Sequence, residues 1–203
     1  MSSIWEKNIA HGEILKNIWK QLDLAVIERK HPFHTPVFAT EFEGEANPRV
    51  VVLRRFWRKP AALAFHTHIA APKINEIRAN PKVSWLFYSF EKKLQLRVRA
   101  IAEIHTDDEL FKEQWNATHP FSRRCYMGEA PTLVSKTATS GMPEHIIDRE
   151  PTPEESEIGE KNFAVVSTKI IAIDCLELDF LGNRRSLFSW NENGEIDMKW
   201  LTP

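Results

Sequence analysis

The sequence has no run of roughly 20 apolar residues, the length that a membrane-spanning helix requires. Its opening stretch, MSSIWEKNIAHGEILKNIWKQL, mixes both charge signs and has no apolar centre followed by small residues, so no secretory leader is expected. There is almost no net charge, with 27 Lys and Arg against 28 Asp and Glu. That removes the global field that would draw the chain onto nucleic acid or an acidic membrane. Local basic clusters therefore need a local explanation. The two cysteines, Cys125 and Cys175, have no CxxC spacing, and free thiols are expected rather than a disulfide. Neither GxGxxG nor GxxxxGK[ST] occurs, so no built-in dinucleotide or nucleoside-triphosphate fold is indicated. No internal repeat is present. These absences leave a cytoplasmic globular protein. Its 203 residues suit a single domain, 1–203, with a real core.

What is present is mostly strand. Ile4, Ile9, Ile14, Leu15, Ile18, Trp19, Leu22 and Val26 recur at helical spacing, which predicts an amphipathic helical segment over 1–30. The segment VFATEFEG predicts a strand closing on a turn at Glu45-Ala46-Asn47-Pro48. RVVVLRRFW predicts the next strand, ended by Arg58-Lys59-Pro60, and AALAFHTH the one after. Lys73 to Ala79 predicts a short helix stopped by Asn80-Pro81. KVSWLFYSF and KLQLRVRAIAEIH predict two strands about Glu91-Lys92. In the second, Leu94, Leu96, Val98 and Ala100 face one way and Gln95, Arg97 and Arg99 the other. Thr106-Asp107-Asp108-Glu109 has the spacing of a capping box and opens a helix through Trp115. The Pro- and Glu-rich stretch 142–160 predicts a mobile surface loop. FAVVSTKIIAIDCLELDFL is a long β-rich run, and RRSLFSW and EIDMKWL predict a hairpin about Asn193-Gly194. Many strands with no regular βαβ alternation predict a mainly β, antiparallel α+β fold, a closed or half-closed barrel with flanking helices.

Five short stretches carry more than a fold class. They are Pro48-Arg49-Val50-Val51-Val52-Leu53-Arg54, Phe65-His66-Thr67, Lys73 followed by Asn80-Pro81, Gln95 with Val98, and the ending Trp200-Leu201-Thr202-Pro203. Singly each has an ordinary reading: Arg49 and Arg54 as rim charges, Lys73 as the first turn of a solvated helix, Gln95 as a strand-face polar residue. In this order and spacing they resemble the pyridoxamine 5'-phosphate oxidase-like family of FMN-binding split β-barrels. The resemblance implies an FMN flavoprotein working as a homodimer with shared flavin sites. It implies that Arg49 and Lys73 hold the FMN phosphate, that Thr67 donates a hydroxyl, and that Val50, Val51 and Leu53 line the ring. Arg54, His66 and Gln95 would complete the near side. Arg185, with Lys136 and Thr137, would approach from the second chain. Such residues suit the group. A phosphate wants fixed cations, and a Gln both donates and accepts, as a flavin edge requires.

The departures bear on the substrate. His66 stands where the family has Tyr, and Pro72 precedes Lys73 where the family has a second cation. The family's substrate-phosphate grip of Tyr, Arg and Ser corresponds to Trp115, His119 and Ser122 or Arg123. The Arg-Leu-His-Asp-Arg stretch is replaced by Asn183-Arg184-Arg185-Ser186-Leu187-Phe188. The expectation is an FMN-dependent oxidoreductase on a small molecule other than pyridoxamine phosphate, reduced by NADPH or NADH. The alternatives are a genuine pyridoxamine 5'-phosphate oxidase and a non-enzymatic flavin-binding stress or sensor protein. No catalytic residue is identified. His66 and His68 share a strand face without further ligands in range, so no metal site is predicted.

Overall fold

The computed structural model describes residues 10–203; Ile4 and Ile9 of the expected N-terminal helix lie outside the described residues. Helix α1 (His11–Ile27) buries Ile14, Leu15, Ile18, Leu22 and Ala25 against the sheet, the apolar stripe that the sequence spacing requires. Strands β1 (Val37–Phe42), β2 (Glu45–Val50), β3 (Arg55–Arg58) and β4 (Ala61–His68) precede helix α2 (Pro72–Ala79). Strands β5 (Lys82–Ser89) and β6 (Leu94–His105) follow, then helices α3 (Glu109–Ala117), α4 (Pro120–Arg123) and α5 (Pro153–Ser156). Strands β7 (Phe163–Glu177), β8 (Arg184–Trp190) and β9 (Ile196–Leu201) complete the chain.

Every pairing is antiparallel, in the order β2-β1-β5-β6-β7-β4-β3. The two ends of that path, β2 and β3, are consecutive in the chain. Between them Val51 and Leu53 donate to the Pro36 and His34 carbonyls, while Arg54 donates to the Ala64 carbonyl. One bent segment thus touches β1's side with one end and β4 with the other, and the sheet closes. β7 is the seam of the split. β6 follows one edge along the whole strand; the other edge pairs with β4 over its first half and β8 over its second. The register slips at the bulge beside Arg99 and Ala100, where the extra residue lets the strand bend out of the barrel.

The interior follows the alternation of β5 and β6. Val83, Trp85, Phe87, Leu94, Leu96, Val98 and Ala100 face inward. The Trp85 indole donates to the Thr168 hydroxyl at 3.1 Å, which donates to the Leu63 carbonyl at 3.1 Å, so the buried polar groups are satisfied. A second core joins Phe111 and Trp115 of α3 to Tyr126, Phe163 and Val165.

Four expectations need correction or detail. The first hairpin turns at Glu43 and Gly44, both at positive φ, not at 45–48. Pro48 sits within β2, where its missing N–H is tolerated on a strand that pairs, among the described residues, with β1 alone. The run 49–57 is two strands, because its backbone changes partners at 51–54. Helix α3 is capped by Asp108, whose carboxylate accepts from the Phe111 N–H at 2.9 Å; Thr106 takes no part in that cap. The reciprocal capping box belongs to Thr152 and Glu155, at the start of α5. Residues 142–160 therefore carry helical turns at 144–146, 153–156 and from 157 onward, fastened by Arg149 to Glu155 and by Arg123 to Glu157. Both cysteines are free.

Candidate functional site

The expected site residues fall into three groups. The first lies where α2 meets the ends of β1, β2 and β4. Lys73 Nζ donates to the Thr67 hydroxyl at 3.1 Å. Arg49 donates to Glu76 at 2.7 Å and to the Thr40 hydroxyl. Glu76 also accepts from Thr40 and from the Asn47 amide, the latter at 2.9 Å. Burial followed by the nearby Arg49 pushes the Lys73 ammonium below its ordinary value, although Glu76 pulls the other way. Burial alone would raise the Glu76 carboxyl, but bonds from Thr40 and Arg49 outweigh it and hold it below the usual range. Two cations and a hydroxyl thus converge around one carboxylate that is already fully bonded. A local excess of positive charge that raises the cost of its own ammonium is a place for an anion.

The second group is a pocket of about 310 Å³ between the end of α1, β3, β4 and the α3–α4 corner. Arg54 and His66 line it, together with Arg29, Arg55, Gln114, His119 and Ser122. His66 and Thr67 are adjacent on β4 and so point to opposite sides, which is why the strand feeds both groups. The buried Gln114 accepts from Arg55 Nε at 3.0 Å, and its same oxygen lies 3.3 Å from His66 Nε2. An amide oxygen only accepts, so Nε2 of His66 carries the proton. Burial first, then the neighbouring Arg54, pushes the His66 pKa down to about 3, and the imidazole is neutral at ordinary pH. His68, two residues on, accepts from the Ala70 N–H at 3.0 Å.

The third group lies on the outer face of the sheet. Gln95 stands opposite Tyr88 and Leu176, and Leu176 stands opposite Arg185, so Gln95 and Arg185 are two strand spacings apart, about 10 Å. Arg185 donates to Asp174 through Nε at 3.0 Å and Nη2 at 2.7 Å, and Arg97 joins the same carboxylate. Burial opposes ionisation of Asp174, but the bonds from Arg185 and Arg97 hold its pKa below the usual range. A cleft of about 500 Å³ opens here among Val37, Leu86, Arg97, Asp174, Leu187 and Leu201. Gln95 is far from the first group: its partner Tyr88 lies six residues along β5 from Lys82, roughly 20 Å from the end of α2. Within one chain the first and third groups do not meet.

The remaining expected residues are scattered. The Val51 and Leu53 side chains are in the core and their N–H groups bond within the chain, whereas Val50 is exposed on the outer face. Lys136 and Thr137 lie in the exposed stretch 129–141. Of the candidates for a substrate-phosphate grip, Trp115 and Arg123 are engaged with each other: the guanidinium lies 4.4 Å over the indole and donates to the Trp115 carbonyl at 3.0 Å. His119 and Ser122 remain on the pocket wall. Sequence reasoning missed Glu76, Gln114 and Arg29. For Glu76 a clue existed, since Lys73 and Glu76 are three apart and share a helix face.

Comparison with known proteins agrees with this architecture. The family model described as pyridoxamine 5'-phosphate oxidase matches residues 31–146. A crystal structure from Nostoc punctiforme PCC 73102, a pyridoxamine 5'-phosphate oxidase-related, FMN binding protein, is similar at 19% identity with a TM-score of 0.71, over 97% of this chain and 99% of that one. PhzG from Burkholderia lata 383, solved with tetrahydrophenazine-1-carboxylic acid, is similar at 14% identity with a TM-score of 0.68, over 100% and 97%. A protein related to general stress protein 26 from Clostridium acetobutylicum has 11% identity and a TM-score of 0.53, over 87% and 95%. At these identities the likeness is one of fold. Among the described residues no helix is long and apolar enough to cross a membrane. The family match covers more than half of the sequence and takes in Arg49, Thr67, Lys73 and Gln95, and the chain belongs to the pyridoxamine 5'-phosphate oxidase family.

Proposed function

We propose that this protein binds FMN and acts as an FMN-dependent oxidoreductase, with flavin sites shared between the two chains of a homodimer. The observation that carries the reading is the Arg49–Thr67–Lys73 cluster, two cations and a hydroxyl in which Lys73, among the described residues, bonds only to Thr67. These residues fit a terminal phosphate: Lys73 as a point charge, Thr67 as a donor, Arg49 held in place by Glu76. FMN, when bound, supplies the redox chemistry, and the protein's part is to bind and orient it. Adding FMN to the protein should give a flavin spectrum and a saturable titration in which FMN wins over FAD. Lys73→Ala should weaken it by about 1.5–3 kcal/mol, the scale of a charge-assisted hydrogen bond. No affinity for FMN, or a clear preference for FAD, would sink the assignment.

Sharing of sites is supported by the separation of Gln95 and Arg185 from that cluster. It is supported too by the outer face itself, where Val50, Leu86, Tyr88 and Ile101 are exposed apolar residues around the 500 Å³ cleft. A two-fold contact would cover such a patch. Mixing Arg49→Ala chains with Arg185→Ala chains, each binding FMN poorly alone, should restore one site per heterodimer. A monomer that still holds FMN tightly would overturn it.

The substrate is a small molecule other than pyridoxamine phosphate, with NADPH or NADH as electron donor. Engagement of Trp115 with Arg123, and the absent Arg-Leu-His-Asp-Arg stretch, support this: without an anion grip the substrate is not aligned, which is expensive in rate. Pyridoxal phosphate formation at ordinary enzyme turnover would refute it. Oxidation of NADPH or NADH by the flavin-loaded protein separates an enzyme from a flavin-binding sensor.

A further inference from the structure

Three side chains that the proposed flavin site does not use form a relay of hydrogen bonds on the outer face of the sheet. Thr168 points into the core, where it bonds Trp85, so Ser167 points out. Ser167 stands opposite Glu103, and His105, at the end of β6, stands opposite Val165. Ser167 and His105 are therefore diagonal neighbours on one face. Asp108 follows His105 by three residues, at the N-cap of α3. His105 Nδ1 lies 2.5 Å from Asp108 Oδ2, and His105 Nε2 lies 2.8 Å from Ser167 Oγ.

These bonds fix the tautomer. Burial would raise the Asp108 carboxyl, but the bonds from the Phe111 N–H and from His105 hold it below its ordinary value. An ionised carboxylate only accepts, so Nδ1 carries the proton and Nε2 accepts from the Ser167 hydroxyl. A hydroxyl that donates to an imidazole held on its far side by a carboxylate is activated for attack. Glu103 Oε2 lies 4.0 Å from Nε2, so an imidazolium formed there has a carboxylate on either side.

We propose that Ser167 is a nucleophile, with His105 as its general base and Asp108 as its positioning residue, in a second site that hydrolyses carboxylic esters of short acyl chains. The Ser167 oxygen bonds to the carbonyl carbon, its proton passes to His105 Nε2, and the carbonyl π pair moves onto oxygen. When that adduct collapses the ester C–O bond breaks, and the alcohol leaves with the proton from His105. Water repeats both steps on the acyl-serine, releasing the acid and restoring the hydroxyl. Nothing is oxidised or reduced, and no flavin takes part. Ser167 is half-buried, and the exposed Lys169 follows about 7 Å along the same strand face, beside the developing oxyanion. On the β4 side Ala64 is buried in the second core, which limits the acyl chain to a short one.

Two probes test this on the full-length protein, with and without FMN: an alkyl fluorophosphonate, read by peptide mass, and 4-nitrophenyl acetate, read by nitrophenolate release. One phosphonyl group per chain should appear on Ser167, and Ser167→Ala should release nitrophenolate more slowly than the parent. His105→Gln and Asp108→Asn should each slow both reactions about a hundredfold or more, the scale of a general base. Asp108→Asn separates positioning from capping. Oδ1 is held by the Phe111 N–H at 2.9 Å, so the asparagine keeps its oxygen there and turns its NH2 toward His105. Asn caps as well as Asp, so melting should match the parent, whereas nitrogen NMR should find the His105 proton moved from Nδ1 to Nε2. Lys169→Ala should slow both reactions about tenfold; unchanged rates would remove its part. The proposal is overturned if Ser167 takes no label, if Ser167→Ala releases nitrophenolate as fast as the parent, or if Asp108→Asn leaves either the tautomer or the rate unchanged.

Discussion

Two carboxylates, Glu76 at the α2 end of the barrel and Asp174 on the outer face, each stand among two cations, yet they use them differently. Asp174 touches both of its arginines, Arg97 and Arg185. Glu76 touches only Arg49 and fills its remaining capacity with Thr40 and Asn47, so Lys73 turns to Thr67. The charge sums are equal, two positive and one negative in each case. What differs is whether a cation is left without a carboxylate contact, and only at the α2 end is one left. Charge counting alone does not separate the two places; the hydrogen bonds do.

The comparison can be broken by removing the carboxylates. Glu76 has a side chain 4% exposed and Arg49 20%, whereas Arg97 is 53% exposed beside Asp174. Glu76→Ala should lose about 2–3 kcal/mol in urea unfolding, near the lower end of the cost of stranding a buried charge. Asp174→Ala should lose about 1 kcal/mol, because water screens its partners. Equal losses would erase the distinction.

Acid sharpens it. The Glu76 pKa lies below its unfolded value, so its contribution is fully present above pH 4.5, its ordinary value, and is lost as pH falls below that. Glu76→Gln should flatten stability against pH in that range. His66 acts higher. Its pKa of about 3 stands against an ordinary 6.5, so the unfolded chain takes up a proton first. Stability should fall as pH drops from about 6.5 toward 3, by at most about 1.4 kcal/mol per pH unit. His66→Gln should remove the largest part of that slope, leaving what His31 and His68 add, and an unchanged curve would place His66 in water. Asp108 sets the small end of the scale. It caps α3 and bonds His105, and Asp108→Ala should cost about 1 kcal/mol in the same unfolding assay.

The alternation of β5 and β6 was legible because inward Trp85, Phe87, Leu96 and Val98 alternate with outward Leu86, Tyr88, Arg97 and Arg99 at period 2. The helix at 72–79 and the turn at Asn193-Gly194 were legible for equally local reasons. The split of 49–57 was not, since Val50-Val51-Val52-Leu53 reads as one apolar strand and only the change of partners interrupts it. The turn at Glu43-Gly44 was hidden behind the more turn-like Asn47-Pro48. In the site, order and spacing singled out Arg49, Thr67 and Lys73, which the fold gathers at the α2 end of the barrel. They could not separate His66 from Thr67 in function, because opposite sides of β4 serve different cavities. Glu76 and Gln114 look like solvated helix residues until α2 and α3 are docked.

The bend at residues 51–54 has a consequence for redesign. It lies between Arg49, at the α2 end, and Arg54, in the pocket by α3, and at about 3.3 Å per extended residue it can separate them by at most roughly 16 Å. It works as a spacer of fixed pitch whose side chains alternate between core and surface. Inserting or deleting one residue would invert that alternation and spoil one cavity or the other. Arg29 and His119 lie outside this spacer, past the end of α1 and before α4. Substitutions meant to reshape that pocket have room at those two positions and none in the spacer itself.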